Sequence, residues 1–208
     1  MAQPPVALST SEKFSGSIFR VTTGGVLTRL ASNVWLNPSG GLLLGADGDF
    51  YGTTWETVFK VTTNGDVTTL ARLTGDNGSG AQELVLGRDG AFYGTTGVGG
   101  SNGVGAVFKL TTDGLVISLA SFDNTNGMYP QGALVLGSNG DFYGTTSSTL
   151  FKVATNVLVT SLVSFNCPNG CGPTAGLVLG RDGQFYGTTT SGGASNYGTV
   201  FRVTTDGS

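Results

Sequence analysis

The sequence predicts an all-β protein, a five-bladed β-propeller of four-stranded antiparallel blades whose last blade lacks its outer strand. The first observation is a ten-residue phrase that occurs four times, as GADGDFYGTT (45–54), GRDGAFYGTT (87–96), GSNGDFYGTT (137–146) and GRDGQFYGTT (180–189). Successive copies lie 42, 50 and 43 residues apart, a spacing typical of propeller blades or solenoid turns. A second phrase, typified by VFKVTTNG at 58–65, alternates with the first, and no segment shows helical periodicity.

Composition is consistent with one β-rich domain over residues 1–208. Charged residues make up 11% of the chain, where about 25% is usual, and glycine occupies 36 positions. The glycines have no three-residue period, which excludes collagen, and the regular hydrophobic runs between them argue against disorder. An all-β protein with many turns is the class that fits.

Each repeat divides into four predicted strands, named A to D. Strand A resembles LVLG at 84–87, B is the FYGTT segment, C is the VFKVT segment and D resembles VTTLA at 67–71. The Asp-Gly pair predicts a tight A-to-B hairpin with Gly90 at positive φ. Phe92 and Tyr93 must then point to opposite faces of strand B, which is typical of a sheet buried on both faces. Gly94 is predicted to permit a close approach by a neighbouring strand or blade.

The repeats predict five blades, the first of them degenerate. In the stretch VALSTSEKFSGS, Phe14 and Gly16 take the places of Phe92 and Gly94. The predicted blades span about 6–31, 41–73, 83–122, 133–165 and 175–205. Five units of this size suit a small closed ring.

The fifth predicted blade has strands A, B and C but no D. The residues before Val6 are too few and too rich in proline to supply the missing strand. An unpaired edge is therefore predicted at Val200, Phe201, Arg202, Val203 and Thr204. Three explanations remain open: the chain belongs to a longer array, another subunit donates a strand, or the blade has three strands. We favour the first two, because exposed edges invite pairing.

The two phrases together resemble the GloVer tandem repeat of bacterial "choice-of-anchor" surface proteins. That pattern is close to L-V-x-G-x-D-G-x-x-Y-G-T-T followed by G-x-V-F-K-x-T-x-D-G, and it matches nearly the whole chain. The first blade departs from it, with Ser15 in place of the Tyr and Ser17 in place of the first Thr. The resemblance implies an extracellular or cell-surface protein, and the family carries no established activity. The order of strands and the D-G turns also resemble the NHL repeat of other propellers.

Charge and hydropathy exclude two classes of partner. The net charge is −3 and the ten Lys and Arg residues are scattered singly, so we expect no nucleic-acid partner. The sequence contains no run of 18 apolar residues, so we expect no membrane span. The opening residues Met-Ala-Gln-Pro-Pro do not form a signal peptide, and our hypothesis is an exported protein whose signal has been removed.

Two cysteines lie on either side of a Pro-Asn-Gly turn in CPNGC. Such a turn brings Cys167 and Cys171 within the Cα separation of about 4.4–6.8 Å that a disulfide requires. We predict a disulfide here, which fits an oxidising compartment. No metal or other cofactor is expected, because the chain has no histidine. The turn aspartates are interpreted as parts of Asp-Gly turns and not as calcium ligands: Asp47, Asp89, Asp113 and Asp182.

Antiparallel strands place the B-to-C and D-to-A connections on one face of the predicted ring, here called the loop face. Its segments vary in length and content: 32–40, 73–82, 97–106, 122–132, 165–176 and 190–199. Variable loops on a rigid scaffold are where binding is usually located. Their amides, hydroxyls and aromatic rings suit sugar rings or polar protein surfaces, although each residue singly is also explained as a turn residue. The candidate ligand-binding residues are Trp35, Trp55, Asp76, Asn77, Asn102, Asp123, Asn124, Tyr129, Asn196 and Tyr197.

The A-to-B and C-to-D turns form the opposite face, here called the turn face. Recurrent cations on strand C are predicted to lay their stems over apolar surface near the periphery. These are Arg20, Lys60, Lys109, Lys152 and Arg202.

The sequence predicts a secreted or surface-displayed module that is lectin-like or adhesive, with carbohydrate or a surface protein as partner. The alternative is a structural subunit that self-assembles by strand donation to the open edge. We expect no enzyme, because histidine is absent and Asp76, Glu83 and Asp123 form no pair suited to glycosidic cleavage.

Overall fold

A computed structural model describes residues 16–34, 38–154 and 158–208. Apart from one turn of 3-10 helix at Gly75–Asn77, the regular structure of these residues is entirely β-strand. The A and B strands of the first blade are expected at 6–17, and residues 6–15 of this stretch lie outside the described residues. The placement of Gly16 in strand B is wrong, because Gly16 and Ser17 continue the strand of the IFRV segment and Gly16 pairs with Val34.

The strands form antiparallel sheets that follow one another along the chain. The first sheet pairs β1 (Gly16–Val21) with β2 (Leu27–Val34). The second has the order β3 (Leu43–Leu44), β4 (Phe50–Thr53), β5 (Thr57–Val61) and β6 (Val67–Arg72).

The third sheet has five strands: β7 (Ser79–Ala81), β8 (Val85–Leu86), β9 (Phe92–Val98), β10 (Ala106–Leu110) and β11 (Val116–Ser121). The fourth has the order β12 (Val135–Leu136), β13 (Phe142–Thr145), β14 (Thr149–Val153) and β15 (Val159–Ser164). The fifth has three strands, β16 (Val178–Leu179), β17 (Phe185–Thr188) and β18 (Val200–Val203). Within the described chain, β18 pairs with β17 alone, so its outer edge is open.

The Asp-Gly hairpins have the geometry that their sequence favours. Gly90 has a φ of 78° and donates its N–H to the Gly87 carbonyl at 3.1 Å. The Asp89 carboxylate accepts the N–H of Ala91 at 3.2 Å. A short turn of this kind joins strand A to strand B in the second to fifth sheets, which makes this end of the molecule uniform.

Aromatic residues of strand B join each sheet to the next. Phe92 belongs to the core shared with the second sheet, whereas Tyr93 packs into the core shared with the fourth. Ring pairs with centroids 4.2–4.3 Å apart recur at three interfaces: Tyr51 with Phe92, Tyr93 with Phe142, and Tyr143 with Phe185. The repeated FY pair therefore fills both faces of each internal sheet.

Gly94 lies beneath an aromatic ring of the neighbouring strand. It is opposite Phe108 in the ladder of β9 and β10. A Cβ at this position would lie 2.7 Å from Phe108 Cζ, well inside van der Waals contact. The close approach is thus to a ring of the same sheet, and the glycines at 52, 144 and 187 have the same relation to Phe59, Phe151 and Phe201.

The segment 73–82, expected to be a loop, contains β7. Strand β9 continues past the FYGTT phrase to Val98, and Ser79 and Ala81 pair with Val98 and Thr96. The backbone hydrogen bonds of this extension explain the strand, because an extended β9 offers an edge that the preceding segment covers.

Hydrophobic cores join the first sheet to the second, the second to the third, the third to the fourth, and the fourth to the fifth. Among the described residues, no core cluster joins the fifth sheet to the first. Val200 of β18 is 81% exposed, although its equivalents in the internal sheets are buried: Val58, Val107 and Leu150. Phe19 is 60% exposed, whereas its equivalents Phe59, Phe108 and Phe151 are buried. The closed five-bladed ring therefore stays a prediction. The sheet face beside Phe19 and the sheet face beside Val200 are both exposed among the described residues.

Candidate functional site

Strand A of the repeat corresponds to β3, β8, β12 and β16 in the second to fifth sheets. The segments directly before these four strands converge on one cavity at the loop face. Its volume is about 360 Å³, and the residues that line it include Ser39, Gln82, Glu83, Gln131, Gly132 and Gly176. We call it the axial cavity, because these segments lead into strand A, which is the edge strand that the sheets place side by side. The arrangement resembles the central channel around which propeller blades are placed.

Glu83 is the charged residue of the axial cavity among the described lining residues. Its Oε1 accepts the N–H of Gly41 at 2.9 Å. Gly40 leaves room for it, since a Cβ there would lie 2.7 Å from Glu83 Cγ. Sequence reasoning named Glu83 only as a scattered acid, and the signal that was missed is its place directly before strand A.

Three aromatic candidates are exposed on the loop face. Trp55 is 60% exposed, Tyr129 is 42% exposed and Tyr197 is 92% exposed. The Trp55 ring lies against Gly80, whose N–H donates to the Trp55 carbonyl at 2.6 Å. Both Tyr129 and Asn196 have positive φ, 54° and 59°, which tight loop geometry imposes on them.

Several polar candidates serve to hold their own loops. Asn77 Oδ1 accepts the N–H of Thr74 at 2.6 Å, and Asn102 Nδ2 donates to the Phe122 carbonyl at 2.9 Å. The side-chain amide of Asn196 accepts the N–H of Gly192 at 3.1 Å.

Asp123 likewise closes its own turn. It accepts the hydroxyl and the N–H of Thr125 and the N–H of Asn126, and these hydrogen bonds lower the pKa of its carboxyl. Asp76 and Asn124 are exposed with no side-chain contact of this kind among the described residues. Trp35 lies outside the described residues.

On the turn face, lysines of strand C form ion pairs with aspartates of the A-to-B turns. Lys60 Nζ lies 2.8 Å from Asp47 Oδ2 and 2.7 Å from Asp49 Oδ2, and the Tyr51 hydroxyl donates to Asp47 Oδ2 at 2.7 Å. The hydrogen bonds from Lys60 and then Tyr51 lower the pKa of Asp47 to about 2.

The same arrangement recurs with Lys109, Asp89 and Tyr93. The lysines on strand C therefore pair with turn aspartates as well as lying over tyrosine rings. The expectation of stems lying on apolar surface missed these ion pairs, because the carboxylates come from a separate turn.

Cys167 and Cys171 form a disulfide with Cα atoms 5.0 Å apart. Cys171 also exchanges two backbone hydrogen bonds with Ser191, of 2.7 and 3.1 Å. These bonds tie the connection that leads into the fifth sheet to the loop between β17 and β18. The crosslink therefore stiffens one sector of the loop face.

No group of three or more His, Cys, Asp or Glu side chains is placed to hold a metal ion in the part of the chain that the structure describes. No helix in the described ranges has the length and apolar character needed to cross a membrane.

Solved structures similar to this chain have a propeller-type fold. A streptogramin B lyase aligns with a TM-score of 0.71 at 19% identity, over 92% of this chain and 60% of the lyase. A catalytically inactive histidine-to-alanine variant of virginiamycin B lyase from Staphylococcus aureus, solved with quinupristin, aligns with a TM-score of 0.70 at 18% identity. This alignment covers 92% of this chain and 61% of the lyase. A gluconolactonase from Xanthomonas campestris aligns with a TM-score of 0.61 at 18% identity, over 92% of this chain and 66% of the gluconolactonase. The chain thus spans about three fifths of the length of the two lyases.

These comparisons contradict the expectation that this protein is not an enzyme. Streptogramin B lyase and gluconolactonase are enzymes, and their fold is the one seen here. The expectation was wrong in treating the absence of histidine as a general exclusion, since it removes only chemistry that needs an imidazole. At this level of identity, the likeness shows the fold alone.

Sequence comparison identifies the repeat itself. No curated protein sequence is significantly similar to this chain. A family model described as the Gloeobacter/Verrucomicrobia repeat matches residues 5–150, which is more than half of the chain. Together with the recurring FYGTT and VFKVT strands, this match shows that the chain belongs to the Gloeobacter/Verrucomicrobia repeat family.

Proposed function

We propose that this chain is an extracellular or cell-surface binding module whose loop face takes carbohydrate. The observation that carries the proposal is the asymmetry of the two faces. The loop face presents three exposed aromatic side chains and the axial cavity. The turn face consists of short hairpins with ion pairs, and its own cavity of about 470 Å³ is lined by the charged residues Arg88, Asp89 and Lys109.

The chemistry of the loop face favours sugars over ionic ligands. An exposed aromatic ring offers an apolar face to the C–H groups of a sugar, and amide side chains offer paired donors and acceptors to its hydroxyls. Trp55 and Tyr197 lie in the B-to-C connections of two different sheets, and Tyr129 lies in a D-to-A connection. Spaced aromatic contacts of this kind suit an extended glycan better than a small ion.

A glycan array tests this proposal. The wild-type protein is expected to bind a subset of glycans, and the variants Trp55→Ala and Tyr197→Ala are expected to lose at least tenfold in affinity for them. Leu115→Ala is the matched control, because Leu115 is exposed to a similar degree but lies in a turn on the opposite face. An array with no binding, alongside capture of a surface protein that depends on the same aromatic residues, would replace carbohydrate with protein as the partner.

Self-assembly is a second candidate function, favoured by the open edge of β18 and the uncovered faces beside Phe19 and Val200. Exposed strand edges and apolar faces invite pairing with another chain. Light scattering over a range of concentrations would detect polymers. Val200→Lys is expected to abolish them and Leu115→Lys to leave them intact, whereas a monomer at all concentrations would exclude this candidate.

A further inference from the structure

We propose that the axial cavity is a subsite for a hydroxylated ligand that carries a protonated amine, such as an amino sugar, with Glu83 as its charge partner. This inference rests on the proposed function, because it assigns a sugar class to one part of the same loop face. It depends on three observations: a departure from the repeat and an uncompensated carboxylate at the cavity, and an unpaired hydroxyl beside it.

The third sheet departs from the repeat where the chain enters the cavity. Aligned on the LVLG strands, the two preceding residues are small in the other three copies: Gly40 and Gly41, Gly132 and Ala133, Ala175 and Gly176. In the third sheet they are Gln82 and Glu83.

The small residues have a structural reason. A Cβ on Gly132 would lie 2.7 Å from the Gly176 nitrogen, so neighbouring segments are nearly in contact there. Two large polar side chains at one of four equivalent positions are not required by the packing that the repeat shares. A role specific to this cavity explains them.

The carboxylate of Glu83 is not neutralised by the protein. Gly41 N–H donates to Oε1, and Oε2 accepts no hydrogen bond from the described residues. None of the described lining residues is Lys or Arg, and no ion pair involving Glu83 occurs in the described chain. Glu83 is solvent-exposed, so an ammonium group of a ligand would reach this carboxylate in exchange for water. Charge-assisted hydrogen bonds are the stronger kind.

The rest of the cavity suits hydroxyl groups. Gln82 and Gln131 supply amides, and Ser39 supplies a hydroxyl that donates to the Ala81 carbonyl at 3.3 Å. A volume of about 360 Å³ lies at the lower end of the range for ligand sites, which fits one sugar ring rather than a long chain.

The contact between the third and fourth sheets beside the cavity lacks a hydrogen bond that the equivalent contacts have. The Thr53 hydroxyl donates to the Gln82 carbonyl at 3.1 Å, and the Thr145 hydroxyl donates to the Ala175 carbonyl at 3.0 Å. Thr95 holds the same position between the third and fourth sheets, but its buried hydroxyl has no partner. A missing bond of this kind costs about 1–3 kcal/mol, so the segment with Gln131 is held less tightly than its counterparts.

Calorimetry with three monosaccharides of the same ring tests the inference: glucosamine, glucose and N-acetylglucosamine, at a pH where the amine is protonated. We expect glucosamine to bind at least tenfold more tightly than the other two. Glu83→Gln should abolish this preference without lowering the unfolding temperature, because its amide oxygen still accepts the N–H of Gly41. Glu56→Gln, which removes an exposed loop-face carboxylate outside the cavity, should keep the preference.

Equal affinities for the three sugars, binding of none of them, or a preference that survives Glu83→Gln would each overturn the inference. The proposed function is tested separately by the array. Glycan binding that depends on Trp55 together with no amine preference would refute the role of Glu83 alone. Glucosamine binding that depends on Glu83 with an otherwise negative array would instead support the cavity and refute the wider glycan surface.

Discussion

Tyr143 packs against Phe185 of the next sheet with ring centroids 4.2 Å apart and ring planes tilted by 33°, and both side chains are fully buried. The same relation joins Tyr51 to Phe92 and Tyr93 to Phe142. Each of these three interfaces therefore uses the Tyr of one repeat and the Phe of the following one. The FYGTT phrase recurs because every internal sheet must present both rings.

This relation predicts unequal costs for the same substitution at equivalent positions. Tyr143→Ala is expected to lower the free energy of unfolding by about 3–5 kcal/mol, because it removes a buried ring and leaves a cavity. Tyr186→Ala should cost much less, since Tyr186 is 36% exposed and no further sheet covers it in the described part of the chain. Chemical denaturation measures both, and equal losses would contradict the stacking account.

The close approach at Gly94 gives a second prediction. Gly94→Ala is expected to destabilise the protein by about 1–3 kcal/mol, because the new Cβ would meet the Phe108 ring at 2.7 Å. Gly97→Ala in the same strand is the control, since its nearest neighbour atom would be 3.5 Å away. Thermal unfolding of the two variants should separate them clearly, and a neutral Gly94→Ala would argue against the packing of Phe108 on the glycine.

The turn face predicts a loss of stability in acid. Hydrogen bonds from Lys60 and Tyr51 lower the pKa of Asp47 from 3.8 to about 2. A lowered folded-state pKa means that the stabilisation is fully present above about pH 4 and is lost as the pH falls towards 2. Asp47→Asn should be less stable than wild type at neutral pH and equally stable near pH 2. Denaturation curves across this range measure the convergence, and a constant difference would contradict the ion-pair assignment.

The disulfide gives a prediction for one sector of the loop face. Replacing Cys167 and Cys171 together by Ser should lower the free energy of unfolding by about 2 kcal/mol, the value for a loop this short. In this variant, hydrogen exchange should quicken at position 171 and at Ser191, whose backbones are paired, and stay unchanged in the third sheet. Unchanged exchange at Ser191 would show that the backbone pairing does not depend on the crosslink.

Much of the fold could be predicted because the repeat expresses it directly. Alternation placed Phe92 and Tyr93 on opposite faces, and Asp-Gly pairs located the hairpins. Strand β7 could not be predicted, since its SGA segment has no strand signature and pairs only because β9 runs on to Val98. The pairing of Lys60 with Asp47 was also missed, because a lysine at a fixed strand position does not reveal which turn it reaches.

The candidate residues of the loop face divide into side chains that hold their own loops and side chains that are exposed. Asn77, Asn102 and Asp123 shape their loops, while Trp55, Tyr129 and Tyr197 are exposed. The axial cavity was missed, because it depends on the convergence of four segments that are distant in sequence. Aligning the repeats on strand A would have singled out Gln82 and Glu83.

The position of a bound glycan tests the central claim most directly. A crystal structure with the best ligand from the array should show it on the loop face, against Trp55, Tyr129 or Tyr197 or within the axial cavity beside Glu83. A ligand seated on the turn face, among Asp47, Lys60 and their equivalents, would contradict the account.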